Sequence, residues 1–103
     1  SGKLLIFEKG ALVMKELLRK MRVLERKMEE SEQQSEYWLQ EEHFDMEKSD
    51  SFEAEADSLY ESLYQLLDQA AETIVSMTFG RVDKITARTM IREKHSDIER
   101  LFA

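Results

Sequence analysis

From Phe52 to Met77 the apolar side chains recur at steps of three and four: Phe52, Ala56, Leu59, Tyr60, Leu63, Leu66, Leu67, Ala70, Ala71, Ile74 and Met77. That spacing gathers side chains on one side of an α-helix, so the stretch predicts a helix with one wide apolar stripe. The other side carries Glu53, Asp57, Glu61, Gln65, Asp68 and Glu72, which suit water. A helix of this kind is not stable alone and must lay its stripe against partners. Its expected start is near Ser51, behind a turn at Ser49-Asp50-Ser51, where Asp50 followed by Glu53 reads as an N-cap with a capping-box partner. It is expected to run to about Thr78, with Gly80 closing it in a left-handed cap.

Upstream, Met14, Leu17, Met21, Leu24 and Met28 alternate steps of three and four, the heptad spacing of a helix–helix seam. The same register continues through Ser31, Ser35 and Trp38, so the seam turns polar and then regains an anchor. Lys15, Arg19, Lys20, Arg22, Arg26 and Lys27 lie around the outside. Glu29–Glu36 has no apolar side chain, but Glu and Gln are good helix formers and no glycine or proline interrupts them. One helix from about residue 11 to about 47 is therefore favoured over a break in that stretch. A second, shifted stripe then runs through Leu39, His43 and Met46, with Tyr37 and Phe44 beside it. Lys3–Lys9 reads as a short strand or a ragged helical lead-in, with a break expected at Gly10.

A connection as short as Ser49–Ser51 makes the two long helices antiparallel neighbours. After Gly80 a third helix, capped by Asp83 or Thr86, gathers Ala87, Met90, Ile91, Lys94, Ile98, Leu101 and Phe102 on one face. Arg88, Arg92, Glu93, Asp97, Glu99 and Arg100 are expected to face outward. The predicted fold is all-α: a long antiparallel helical hairpin plus a third C-terminal helix, like a three-helix bundle. The Met14–Met28 seam is apolar enough to pair with another chain, which points to a homodimer.

Composition narrows this picture. The 103 residues suit a single all-helical domain, 1–103. The opening Ser1-Gly2 has the look of vector-derived residues, and Met14 is a second candidate start, which leaves Lys3–Val13 partly in question. Without cysteine there is no disulfide framework, no thiolate metal site and no thiol nucleophile, which fits a reducing cytoplasm. The longest apolar runs, Leu4–Phe7 and Ala11–Met14, are far too short to span a bilayer, and no membrane partner is expected.

Charge is distributed unevenly. Residues 1–28 hold eight basic and three acidic side chains, whereas residues 29–61 hold thirteen acidic ones and only Lys48. Residues 62–103 balance at six of each, and the whole chain carries −7. A block this acidic repels nucleic acid and attracts basic surfaces.

Candidate chemistry is sparse. His43 precedes Glu47 by four residues, as His95 precedes Glu99, so each pair would share a helix face and suit a metal. Gln40 and Arg92 stand where a di-metal bundle has the glutamate of its Glu-x-x-His motif, so neither pair extends to such a site. Glu29-x-x-Glu32 followed by Glu47-x-x-Asp50 is similar in spacing to the magnesium-binding pattern of all-helical nucleoside triphosphate pyrophosphohydrolases. That similarity covers four positions, no phosphate-binding basic pattern accompanies it, and dense carboxylates generate such matches by chance. No Ser-His-Asp set or Gly-rich phosphate loop is present. The basic side of the first helix lacks the aromatic ladder that stacks bases, so direct nucleic-acid binding is not expected.

The expectation is thus a non-enzymatic protein-binding or regulatory protein, without cofactor or metal. Its partner is another protein with a basic surface, met by Glu36, Tyr37, Glu41, Glu42, Phe44, Asp45 and Glu47. Small, acidic, cysteine-free helical chains occur among phage and mobile-element accessory proteins, an analogy in its favour. The sharper alternative is a nucleic-acid mimic whose block 29–61 occupies the groove of a DNA- or RNA-handling enzyme. A metal-dependent helical-bundle enzyme is the remaining alternative.

Overall fold

A computed structural model describes residues 2–93. It is helical throughout: α1 (Gly2–Tyr37), a 3₁₀ turn (Glu41–His43), α2 (Met46–Met77) and α3 (Lys84–Glu93), with no strand among the described residues. The two long helices pack on one another and the third is short. Two compact units result, one built from the chain up to Met21 together with the chain from Gln65 onward, the other from Arg22–Tyr64.

The first unit has an apolar core. Met14, Leu17, Leu18 and Met21 of α1 are buried, as are Leu67, Ala70, Ala71, Ile74 and Met77 of α2 and Ala87 and Ile91 of α3. The expected break at Gly10 is absent, and Lys3–Lys9 is helix rather than strand. A Cβ built at Gly10 would collide with the Met77 side chain, so this glycine serves a close helix–helix approach, not a turn.

Helix α2 stops at Met77, where expected. Phe79 and Gly80 both take left-handed backbone, at φ 53° and 79°. The Gly80 N–H donates to the Val75 carbonyl at 2.9 Å, which closes the C-terminus. Asp83, rather than Thr86, caps α3: its carboxylate accepts the Thr86 N–H at 2.7 Å, and this hydrogen bond holds the Asp83 carboxyl below the usual aspartate range. Arg88 does not face outward as expected. It is half-buried and ion-pairs with Asp68, to which Lys84 also reaches at 3.0 Å, so charge as well as burial ties α3 to α2. Lys94, His95, Asp97, Ile98, Glu99, Arg100, Leu101 and Phe102 lie outside the described residues.

The second unit is a helical hairpin with a different interior. Its seam holds half-buried Leu24 and Met28, then buried Ser31 and Ser35, and half-buried Trp38. Opposite stand buried Ser49 and Ala56 with half-buried Phe52, Leu59 and Leu63. The Ser35 and Ser49 hydroxyls hydrogen-bond at 3.0 Å, so each satisfies the other where an apolar contact would otherwise stand. Glu29–Glu36 is continuous helix, as favoured. Tyr60 departs from its stripe and is exposed.

The turn falls elsewhere than expected. Helix α1 ends at Tyr37, not near residue 47, and Ser49, Asp50 and Ser51 are all inside α2. Ser49 precedes Phe52 by three residues and is simply the next position of the α2 seam. The cap of α2 is Asp45, whose carboxylate accepts the Lys48 N–H at 3.1 Å; Asp50 caps nothing and is exposed.

Candidate functional site

The connection between α1 and α2, residues 38–45, lies wholly in the second unit. Its first residues tighten: Leu39 N–H bonds back to the Glu36 carbonyl at 3.1 Å and Gln40 N–H to the Tyr37 carbonyl at 3.2 Å. The Asp45 N–H then returns to the Trp38 carbonyl at 2.8 Å, closing the loop on itself. A connection with no glycine or proline is thus fixed by its own backbone bonds and by the Asp45 cap.

Aromatic rings reinforce it. The His43 imidazole stacks on the Tyr37 ring, with centroids 3.7 Å apart and planes 16° from parallel. Trp38 meets both edge-on, at 5.0 Å from Tyr37 and 5.8 Å from His43. The Lys48 ammonium sits over the Trp38 ring, 4.1 Å from its centroid. The only basic side chain of the acidic block is thereby held against an indole face. The Trp38 indole nitrogen and His43 Nδ1 are buried and make no hydrogen bond among the described residues.

Around this braced knot the surface is apolar and acidic. Tyr37, Leu39, Phe44 and Met46 are exposed, Phe44 by 58 %. Glu36, Glu41, Glu42 and Glu47 are exposed between and beside them. Six of the seven residues expected to meet a partner therefore stand at one end of one unit, open to solvent. The seventh, Asp45, is half-buried, with its carboxylate engaged by the backbone of α2. Leu39 and Met46, whose spacing places them on a helical stripe, are instead exposed members of the same surface.

His43 and Glu47 do not share a helix face, because His43 belongs to the 3₁₀ turn and Glu47 to α2. Glu29, Glu32, Glu47 and Asp50 are all exposed. Among the described residues no three His, Asp or Glu side chains converge as a metal site would need. No helix among them is long and apolar enough to cross a membrane.

This arrangement exposes apolar and acidic side chains together on one short connection held by its own backbone hydrogen bonds. No family model matches the chain, and neither a curated protein nor a solved structure matches it.

Proposed function

We propose that this chain is a small non-enzymatic regulatory protein of the cytoplasm, a homodimeric acidic helical module that binds another protein through the α1–α2 connection. One observation carries the reading: Tyr37, Leu39, Phe44 and Met46 are exposed together on a connection braced by ring stacking, with Glu36, Glu41, Glu42 and Glu47 around them. Aromatic anchors within a polar rim are the pattern of an interface hot spot. The carboxylates select a basic partner and speed its encounter.

The test compares partner capture by wild type with that by Glu41→Lys/Glu42→Lys/Glu47→Lys and by Phe44→Ala. Asp45 is left intact because reversing it would uncap α2. A basic partner that binds wild type is expected to bind each variant at least tenfold more weakly while circular dichroism stays unchanged. Equal affinity for all three proteins would reject the reading.

A nucleic-acid mimic is the second reading. It is favoured by the exposure of Glu29, Glu30, Glu32, Glu36, Glu47, Asp50, Glu53, Glu55, Asp57 and Glu61 along both helices of the second unit. It predicts that duplex DNA competes for the partner's basic groove and that binding falls steeply with salt. A partner that binds equally well with DNA already in place would remove it.

A further inference from the structure

The first unit carries an open groove of about 480 Å³ between α1 and α2. Ile6, Gly10, Val13, Leu17 and Met77 give it an apolar floor, while Lys9 and Glu72 stand among its walls. Beside it α1 leaves Phe7 and Leu12 in solvent, Leu12 by 69 %. Apolar surface of this extent needs a cover.

We propose that the groove is the seat for the α1–α2 connection of a second copy of this chain. The inference rests on the connection being a docking surface and adds that one of its occupants is this same protein. Charge complementarity selects a second copy. The second unit has fourteen acidic and four basic side chains, a balance of −10. The α1 segment that borders the groove, up to Met21, has five basic and two acidic ones, a balance of +3. Lys9 lines the groove, and Lys20 lies about three turns further along the same side of α1. Pairing this segment with itself would oppose like charges. The connection of another copy instead brings Phe44 and Met46 as apolar knobs, with Glu41, Glu42 and Glu47 to face the lysines. The methionine seam is not available for this purpose, because Met14 and Met21 are buried within the chain and Leu24 and Met28 are half-buried. Each copy offers this groove and this connection, so each can both give the contact and receive it.

The experiment is charge-swap complementation with purified full chain, read by sedimentation equilibrium at low salt. Lys9→Glu/Lys20→Glu alters the groove side and Glu41→Lys/Glu42→Lys the connection side. All four residues are exposed, and circular dichroism verifies that each variant is folded. Wild type is expected to self-associate, and each variant alone to do so at least tenfold more weakly. Their equimolar mixture is expected to recover wild-type association, since it restores one unaltered groove–connection pair and matches the two reversed faces. Phe44→Ala, an exposed position, is expected to weaken association tenfold without charge change, which keeps the test intact should either double variant fail to fold.

A monomeric wild type, variants that associate like wild type, or folded variants whose mixture does not recover would each overturn the contact. Those outcomes leave the binding of a foreign basic partner standing. Connection variants that lose self-association yet capture a basic partner as tightly as wild type would overturn the proposed function instead.

Discussion

Leu63 and Leu67 stand one turn apart on α2. Leu67 is buried at 6 % exposure in the first unit, and Leu63 is half-buried in the second. The step between them marks a change in how the two units are held. Among the described residues, eleven buried apolar side chains from three helices lie in the first; in the second, Ala56 is the only buried apolar side chain and the other buried positions are Ser31, Ser35 and Ser49. Hydrophobic stabilisation scales with apolar area removed from water, so the first unit holds most of it. The second keeps its carboxylates and several aromatics in solvent. The unit built from the two outer segments of the chain buries its apolar side chains, and the unit built from the middle leaves many of its own exposed.

The largest test of that contrast is Leu67→Ala against Leu63→Ala. The first should lower unfolding free energy by about 2–5 kcal/mol, as for a buried leucine, and the second by about 1 kcal/mol, measured in urea. Equal losses would show that the two interiors are alike.

The serine pair is next. Ser35→Ala strands the buried Ser49 hydroxyl and should cost about 2 kcal/mol, whereas Ser35→Ala/Ser49→Ala removes both partners and should be nearly neutral. A double variant as unstable as the sum of the singles would mean that the hydroxyls have other partners.

Caps offer a matched comparison, one from each unit. Asp83→Ala and Asp45→Ala should each cost about 1 kcal/mol. Asp45→Ala alone should also raise amide exchange in the α1–α2 connection.

The smallest effect is electrostatic. Hydrogen bonds donated by Arg88, then by Lys84, hold the Asp68 carboxyl below the usual aspartate range, and those that Lys84 donates to Asp68, then to Glu72, hold its ammonium above the usual lysine range. The aspartate's contribution is therefore full at neutral pH and is lost as pH falls through its depressed range. The lysine's is full at neutral pH and is lost as pH rises through its elevated one. The stability difference between wild type and Asp68→Asn should shrink on acidification; a difference independent of pH would sever it from the ion pair.

Much of this architecture is legible in the sequence because heptad spacing records a buried seam directly. From Met14 to Trp38 every seam position is buried or half-buried, and so is the α2 stripe apart from Tyr60. Ser49-Asp50-Ser51 carries the residue types of a turn, and Asp50 with Glu53 those of a capping box, yet all of them lie inside α2, while the connection at residues 38–45 is capped by Asp45. The usable signal was the seam itself: continued past Trp38 it lands on Glu42 and Asp45, which a seam cannot bury. Gly10 is the same kind of case. Whether a glycine breaks a helix or admits a neighbour depends on the partner facing it, here Met77, which is distant in sequence. The carboxylates and aromatics of the candidate site could be read from composition. The stacking of His43 on Tyr37 could not, since it exists only once the chain turns at Trp38.

The split make-up of the first unit bears on the order of folding. Bringing Gly10 to Met77 closes a loop of 67 residues, whereas bringing Ser35 to Ser49 closes one of 14. The longer closure costs about 1.4 kcal/mol more in chain entropy. Local contacts form sooner than distant ones, so the weaker hairpin assembles first and the stronger unit last. On a ribosome the same order holds: the hairpin can form as soon as Tyr64 emerges, while Met14 and its neighbours wait for Ile74, Met77 and Ile91. Kinetic and thermodynamic hierarchies thus run in opposite directions along one chain.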